Sequence, residues 1–122
     1  MPAATDPAEV ESFLPLRPVE FHVLLSLCRG ERHGYGIMLD AEERTGGALV
    51  LQVGTLYRAL RRMKQAGLIV DSNARPTDED DERRNYYAVT ALGRAVAQAE
   101  AQRLDALLRA AREGGVIDAA GR

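Results

Sequence analysis

Arg58, Arg61, Arg62 and Lys64 crowd into one short stretch, VGTLYRALRRMKQA at 53–66, which contains no acid. Guanidinium groups gathered on one side of a helix can pair bidentately with phosphates or with the guanine edges of a DNA major groove. The ordinary alternative is an amphipathic surface helix whose charged side is merely solvated. Other chemistry finds little to work with. An enzyme needs a nucleophile, a base and an orienting group, and two histidines and one cysteine form no triad spacing. His22, Cys28 and His33 are spaced awkwardly for zinc. The G-Y-G at 34–36 is too little for a nucleotide loop. The acidic run Asp78, Glu79, Asp80, Asp81 and Glu82 lacks the spacing and the glycine of a calcium loop. The expectation is a protein that is not an enzyme, with no metal and no cofactor.

The basic stretch needs a scaffold, and the chain around it supplies one. At the 3.6-residue period Val53, Leu56, Leu60 and Met63 fall on one side of a helix, flanked by Ala59 and Ala66. Gly54, Arg58, Arg61, Arg62 and Gln65 fall on the other, with Lys64 toward the side. Upstream, Thr5 or Asp6 can cap a short helix with Pro7 in its first turn, which Pro15 would end. Pro18 opens PVEFHVLLSLCR, where Phe21, Leu24, Leu25 and Cys28, widened by Val23 and Leu27, predict a helix buried on two sides. His22 on it reads as an exposed or hydrogen-bonded histidine. A second helix is expected over 35–45, with Ile37, Met38 and Ala41 inward, Asp40, Glu42, Glu43 and Arg44 solvated, and Gly46-Gly47 closing it. Residues 48–52 read as an extended connector that carries Leu49 and Leu51 into the core.

Downstream, Gly67 caps the basic helix and a strand begins at Leu68-Ile69-Val70. Its partner is RRNYYAV at 83–89, and the polar loop between them makes a hairpin wing. Tyr86 and Tyr87 alternate across that strand, so only one can face the core. Two short helices, a basic helix and this hairpin, in that order, spell a winged helix-turn-helix in a mainly α (α+β) chain. Thr90 then caps a last helix over 91–112 of roughly 33 Å. Leu92, Val96, Ala99, Leu104, Leu107, Leu108 and Ala111 cover a broad apolar arc on it, and the cheapest cover for such an arc is the same helix of a second copy, the alternative being a helix folded back on its own domain. The division expected is a leader at 1–13, the winged domain at 14–90, a dimerisation helix at 91–113 and a tail at 114–122.

With 46% hydrophobic and 28% charged residues in 122, the composition is that of an ordinary folded chain. No apolar run approaches the ~18 residues of a membrane span, and the N-terminus lacks the basic start and apolar core of a secretory signal. A single cysteine excludes an intrachain disulfide and fits a reducing cytoplasm. A net charge of −2 argues against a general polycation, so any hold on nucleic acid must be local.

Three stretches, HGYGIMLDAEERTGG, GTLYRALRRMKQAGLI and RRNYYAVTALG, closely resemble the PadR family of bacterial transcriptional regulators over about residues 14–112. The single last helix is similar to that of the family's smaller branch. The resemblance implies a winged helix-turn-helix with a dimerisation helix, whose last helix exchanges contacts with the partner's first. It implies a homodimeric repressor on a palindromic double-stranded operator, released in many members by a small effector. Thr55 and Tyr57 match the family's T-L-Y, near the DNA backbone, although Tyr57 sits at the edge of the apolar face and suits the core equally. Tyr35 matches a position placed for a phosphate contact. Arg58, Arg61 and Arg62 face outward as groove readers, and Lys64 points to a phosphate. In the wing Arg75, Arg83 and Arg84 are the expected backbone or minor-groove contacts. The five acids at 78–82 would be repelled by phosphate, so that tip is expected to point away from DNA. The rival reading is a winged-helix module whose basic helix engages an acidic protein partner.

Overall fold

The computed structural model describes residues 5–72 and 85–118. Asp6 opens α1 (Pro7–Glu11), its carboxylate accepting the Ala8 N–H at 3.0 Å with Pro7 as the first helical residue. Pro18 likewise begins α2 (Pro18–Cys28), which lies at the centre of the molecule and packs against α3, α4, α5 and β3. Val23, Leu24 and Leu27 are buried, while Phe21, Leu25 and Cys28 are half-buried, so α2 is covered on two sides as its composition predicts. Next come β1 (Arg32–His33) and α3 (Gly34–Arg44), whose Ile37 and Ala41 are wholly buried. Then follow α4 (Val53–Gln65), β2 (Ile69–Ser72), β3 (Tyr86–Val89) and α5 (Ala91–Glu113).

Three helices end in the same device. Gly46, Gly67 and Gly115 hold φ of 63°, 84° and 78°, the left-handed conformation that glycine adopts at least cost. In each case the next residue's N–H reaches back five residues: Gly47 to Glu42 O, Leu68 to Met63 O and Val116 to Ala111 O, all within 2.9 Å. That bond is why β2 starts at Ile69 and not at Leu68 as the composition suggested. The wing is also not a plain hairpin. The sheet has three antiparallel strands in the order β1-β3-β2, with His33 opposite Tyr86 and Arg32 opposite Tyr87 on one edge. On the other edge Ile69 faces Val89 and Asp71 faces Tyr87. Tyr87 is the tyrosine that turns into the core, and Tyr86 meets the His33 ring edge-on at 5.2 Å.

On α4 the core takes Leu56, Ala59, Leu60 and Met63. Val53 and Ala66 do not join them. Val53 is 59% exposed because the packed stretch begins one turn further on, at Leu56. On α5 the apolar arc divides in two. Val96 is fully buried in its own domain, with Ala97 and half-buried Leu92 and Ala99 beside it. It is therefore core in this chain and not free for a partner, a correction to the arc expected from the wheel. Leu104, Leu107 and Leu108 stay 39%, 56% and 42% exposed, and Ala111 is half-buried. The short α1 packs on α5 of the same chain, and its Val10 joins the core.

The start of α5 is fastened to the end of α4. The Thr90 N–H donates to Leu68 O at 3.1 Å, and its hydroxyl reaches the carbonyls of Gly67 and Leu68 while accepting the Gly93 N–H at 3.0 Å. Gly93 is essential to this approach, since a Cβ there would overlap the Leu68 carbonyl oxygen. Further along, Glu100 is almost wholly buried and grips Arg103 through two bonds of 2.8 Å. The Arg103 guanidinium, helped by the Leu16 backbone, holds the Glu100 carboxyl below the usual range against the opposing effect of burial. Gly93→Ala tests the junction. Alanine improves helix propensity by ~1 kcal/mol, yet overpacking of about 1–3 kcal/mol against a backbone carbonyl should prevail. The urea midpoint should fall; a rise would show that the two segments are not in close contact.

Candidate nucleic-acid interface

The outward side of α4 carries Gly54, Arg58, Arg61 and Gln65 along its middle, with Arg62 and Lys64 on opposite flanks. No acid stands in its first turn, and its N-cap Gln52 makes no side-chain bond, so the N-terminal amides keep their partial positive charge unmasked by a side chain. The flanking cations are tied sideways. Arg62 pairs with Glu20 of α2 at 3.2 Å, and Lys64 pairs with Asp71 of β2 at 3.0 Å. Arg58 leans back to the Thr55 hydroxyl at 3.4 Å, a long contact. Arg61 has neither an ion pair nor a hydrogen bond among the described residues. Exposed pairs of this kind are worth ~1 kcal/mol or less, so a phosphate oxygen can replace Glu20 or Asp71 at little cost.

Thr55 is half-buried, at the back of the outward face. Tyr57 is half-buried against the core, and its hydroxyl lies over Gly34, where a Cβ would overlap it. The ring therefore locks α4 to the start of α3. Tyr35, one residue on, is 60% exposed and stacks on His33 with the ring centres 6.4 Å apart. His33 in turn caps α3, its Nδ1 accepting the Gly36 N–H at 2.9 Å. Arg75, Arg83, Arg84 and the acidic run at 78–82 lie outside the described residues.

A polar cluster that the sequence reading placed in solvent joins α3 to α2. Asp40 accepts from the buried Ser26 hydroxyl at 2.7 Å and from Arg44 at 2.9 Å, and lies 3.6 Å from Arg29. The Ser26 hydrogen bond, with Arg44 beside it, holds the Asp40 carboxyl below its usual range despite burial. Arg44 also donates to His22 Nδ1, from Nη2 at 3.1 Å and Nε at 3.3 Å, and to the His22 carbonyl at 3.2 Å. These bonds need Nδ1 unprotonated. Burial, reinforced by the Arg44 charge, accordingly pushes the His22 pKa down. The i,i+4 spacing of Asp40 and Arg44 was legible; the buried Ser26 that anchors them was not. Glu20 and Asp71 were also missed, because only the fold brings them beside α4. A groove of about 510 Å³ lies behind the end of α4, lined by Phe13, Arg17, Glu20, Arg62, Met63 and Leu68 among others. No described helix is long and apolar enough to cross a membrane.

A family model described as the transcriptional regulator PadR-like family matches residues 23–99, from the middle of α2 into α5. The chain belongs to the PadR-like family. Its members are transcriptional regulators and not enzymes, and the mainly helical chain with its small antiparallel sheet has their winged-helix fold. A transcriptional regulator from Clostridium thermocellum has 20% identity and a TM-score of 0.64, over 90% of this chain and 97% of that one. A PadR family regulator from Clostridium difficile has 23% identity and a TM-score of 0.62, over 78% and 95%. Bacillus subtilis PadR, solved in complex with operator DNA, has 22% identity and a TM-score of 0.57, over 74% of this chain and 48% of that one. No curated protein matches the chain.

Helix α3 is thus held to α2 partly by a histidine that must stay neutral. Because the folded pKa of His22 lies below its unfolded value, the unfolded chain takes up the proton first. Stability should therefore fall as pH drops below about 6.5. In His22→Gln that component should vanish. Urea unfolding at pH 7.5 and 5.5 checks it: the drop in midpoint should be smaller in the variant than in the parent. An equal drop would remove His22 from the cause.

Proposed function

We propose that this chain is a cytoplasmic, sequence-specific DNA-binding regulator. It acts as a homodimeric repressor that lays one α4 into the major groove at each half of a palindromic operator. The observation that carries this reading is the acid-free outward face of α4, where Arg58, Arg61 and Gln65 stand exposed beside the bare backbone of Gly54. In a helix-turn-helix the second helix reads the groove while the first crosses the backbone, roles that α4 and α3 take in order. The operator complex of Bacillus subtilis PadR supports the same class of partner here. Arg58 and Arg61 read base edges. Tyr35, Thr55, Arg62 and Lys64 contact phosphates, the last two by exchanging Glu20 and Asp71 for the backbone. Arg75, Arg83 and Arg84 of the wing contact the backbone or minor groove, a role assigned by resemblance.

The dimer rests on the distal half of α5. Leu104, Leu107 and Leu108 are exposed on a helix that extends beyond the part its own domain covers, and a second copy of the same face buries them isologously. Release by a small effector belongs to the same reading. Such a molecule acts by altering the distance between the two copies of α4.

Arg61→Ala should lower affinity for the preferred site by about 1–3 kcal/mol and flatten discrimination at one base position. Arg62→Ala should weaken all duplexes about equally and reduce the salt slope, which is about −0.9 per phosphate contacted. Fluorescence anisotropy over a salt series separates the two, and a shallow slope without preference for a two-fold site would favour an acidic protein partner instead. Leu107→Glu with Leu108→Glu should yield a monomer in sedimentation and lose the preference for paired half-sites roughly 34–36 Å apart. Retention of the dimer would move the interface elsewhere.

A further inference from the structure

Val53 is an apolar, β-branched residue that the fold leaves uncovered at the leading end of α4. It is the first residue of that helix, 59% exposed, one turn ahead of the wholly buried Leu56. Its neighbours do little to screen it. Gln52 makes no side-chain cap, and Gly54 has no side chain; Val50 is as exposed as Val53 but lies ahead of the helix, so Val53 is the exposed apolar side chain of the first turn itself. Packing does not explain the exposure, because Val53 is absent from both the core and the residues packed against it. A polar residue with capping or dipole value would serve a merely solvated helix start better. Val53 stands on the Lys64 flank of α4, and the outward face further along carries cations, Arg58 and Arg61, whose preferred base partner is guanine. Gln65, further from the leading end, suits adenine, and neither it nor the arginines meets the methyl group of a thymine.

We propose that Val53 is a specificity-determining residue that packs its methyl groups on the C5-methyl of a thymine in the major groove. This rests on the operator-binding reading above. In a helix-turn-helix the N-terminal residues of the second helix approach base edges most closely, and the thymine methyl is the one apolar group a base pair displays in that groove. Gly54 beside it lets the helix start come close. Val53 lies about 12 Å along the helix axis from Arg61, or three to four base-pair steps, so the thymine is expected that far from the guanine that Arg61 reads.

The test uses the full chain and a half-site pair obtained by selection from random duplexes. Each thymine is replaced in turn by deoxyuridine, which removes only the methyl group. One thymine per half-site should prove sensitive, with a loss of about fourfold per half-site, the worth of one buried methyl group. Val53→Ala should bind the thymine duplex more weakly by a similar factor and no longer distinguish it from the deoxyuridine duplex. Val53 is exposed, so circular dichroism and the urea midpoint should be unchanged. Duplex binding in which no thymine is methyl-sensitive, or in which Val53→Ala keeps the full sensitivity, overturns the role of Val53 and leaves the regulator reading standing. Failure to select any duplex overturns both.

Discussion

The peptide of Leu68 is where three parts of the molecule meet. Its N–H closes the end of α4 on Met63 O, and its carbonyl receives both the N–H and the hydroxyl of Thr90. Its side chain is buried in the core. One residue later β2 begins, and Gly93 lets α5 come against the same carbonyl. Most helix ends leave carbonyls for water to satisfy. Here the end of the basic helix is satisfied by the elements that follow it, so α4, the sheet and α5 share one rigid corner. Tyr57 over Gly34 does the same at the other side, fixing α4 to the start of α3. The DNA-reading role proposed for this face requires it to be held within a fraction of an ångström, and these two contacts hold it.

The electrostatics follow from that rigidity. The chain is net acidic, yet the acids nearest α4 lie beside it and not on it: Glu20 on α2 and Asp71 on β2. They draw Arg62 and Lys64 toward the flanks and leave the middle of the face to Arg58 and Arg61. Because such exposed pairs are weak, they orient the flanking cations without holding them against a phosphate. The stronger polar contacts are placed where nothing needs to move. Ser26, Asp40 and Arg44 hold α3 on α2, and Glu100 with Arg103 holds α5 beside Leu16.

What the sequence made legible was whatever repeats at a fixed spacing. The 3.6-residue pattern located α2, α3, α4 and α5 to within a residue or two, with Gly46 and Gly67 marking the ends of α3 and α4 and Thr90 the start of α5. Family resemblance pointed to the same winged-helix order, which the family match bears out. What escaped depends on contacts distant in the chain. β1 is two residues long, too short to alternate, and exists because Arg32 and His33 find Tyr87 and Tyr86. Ser26 looks like an ordinary surface residue of α2 until Asp40 and Arg44 arrive over it. A helical wheel also has no ends. It put Val53 with Leu56 and Val96 with Leu107, although covering elements reach only part of each helix.

That last point bears on how a dimer would be coupled to DNA. α5 is one continuous helix from Ala91 to Glu113. Its first half is part of the winged domain's core through Val96 and Ala97, while its second half presents Leu104, Leu107 and Leu108 outward. From Gly93 to Leu104 is about 16 Å at 1.5 Å per residue, without a glycine or proline to bend it. In the dimer proposed above, the partner holds the distal half and the Leu68 corner holds the proximal half. A shift between the two copies of α5 is then carried, without a hinge in the helix, to the corner that fixes α4. In that proposed dimer the spacing of the two copies of α4 would be set by how α5 packs on its copy, and a small effector would need no contact with α4 itself to change it.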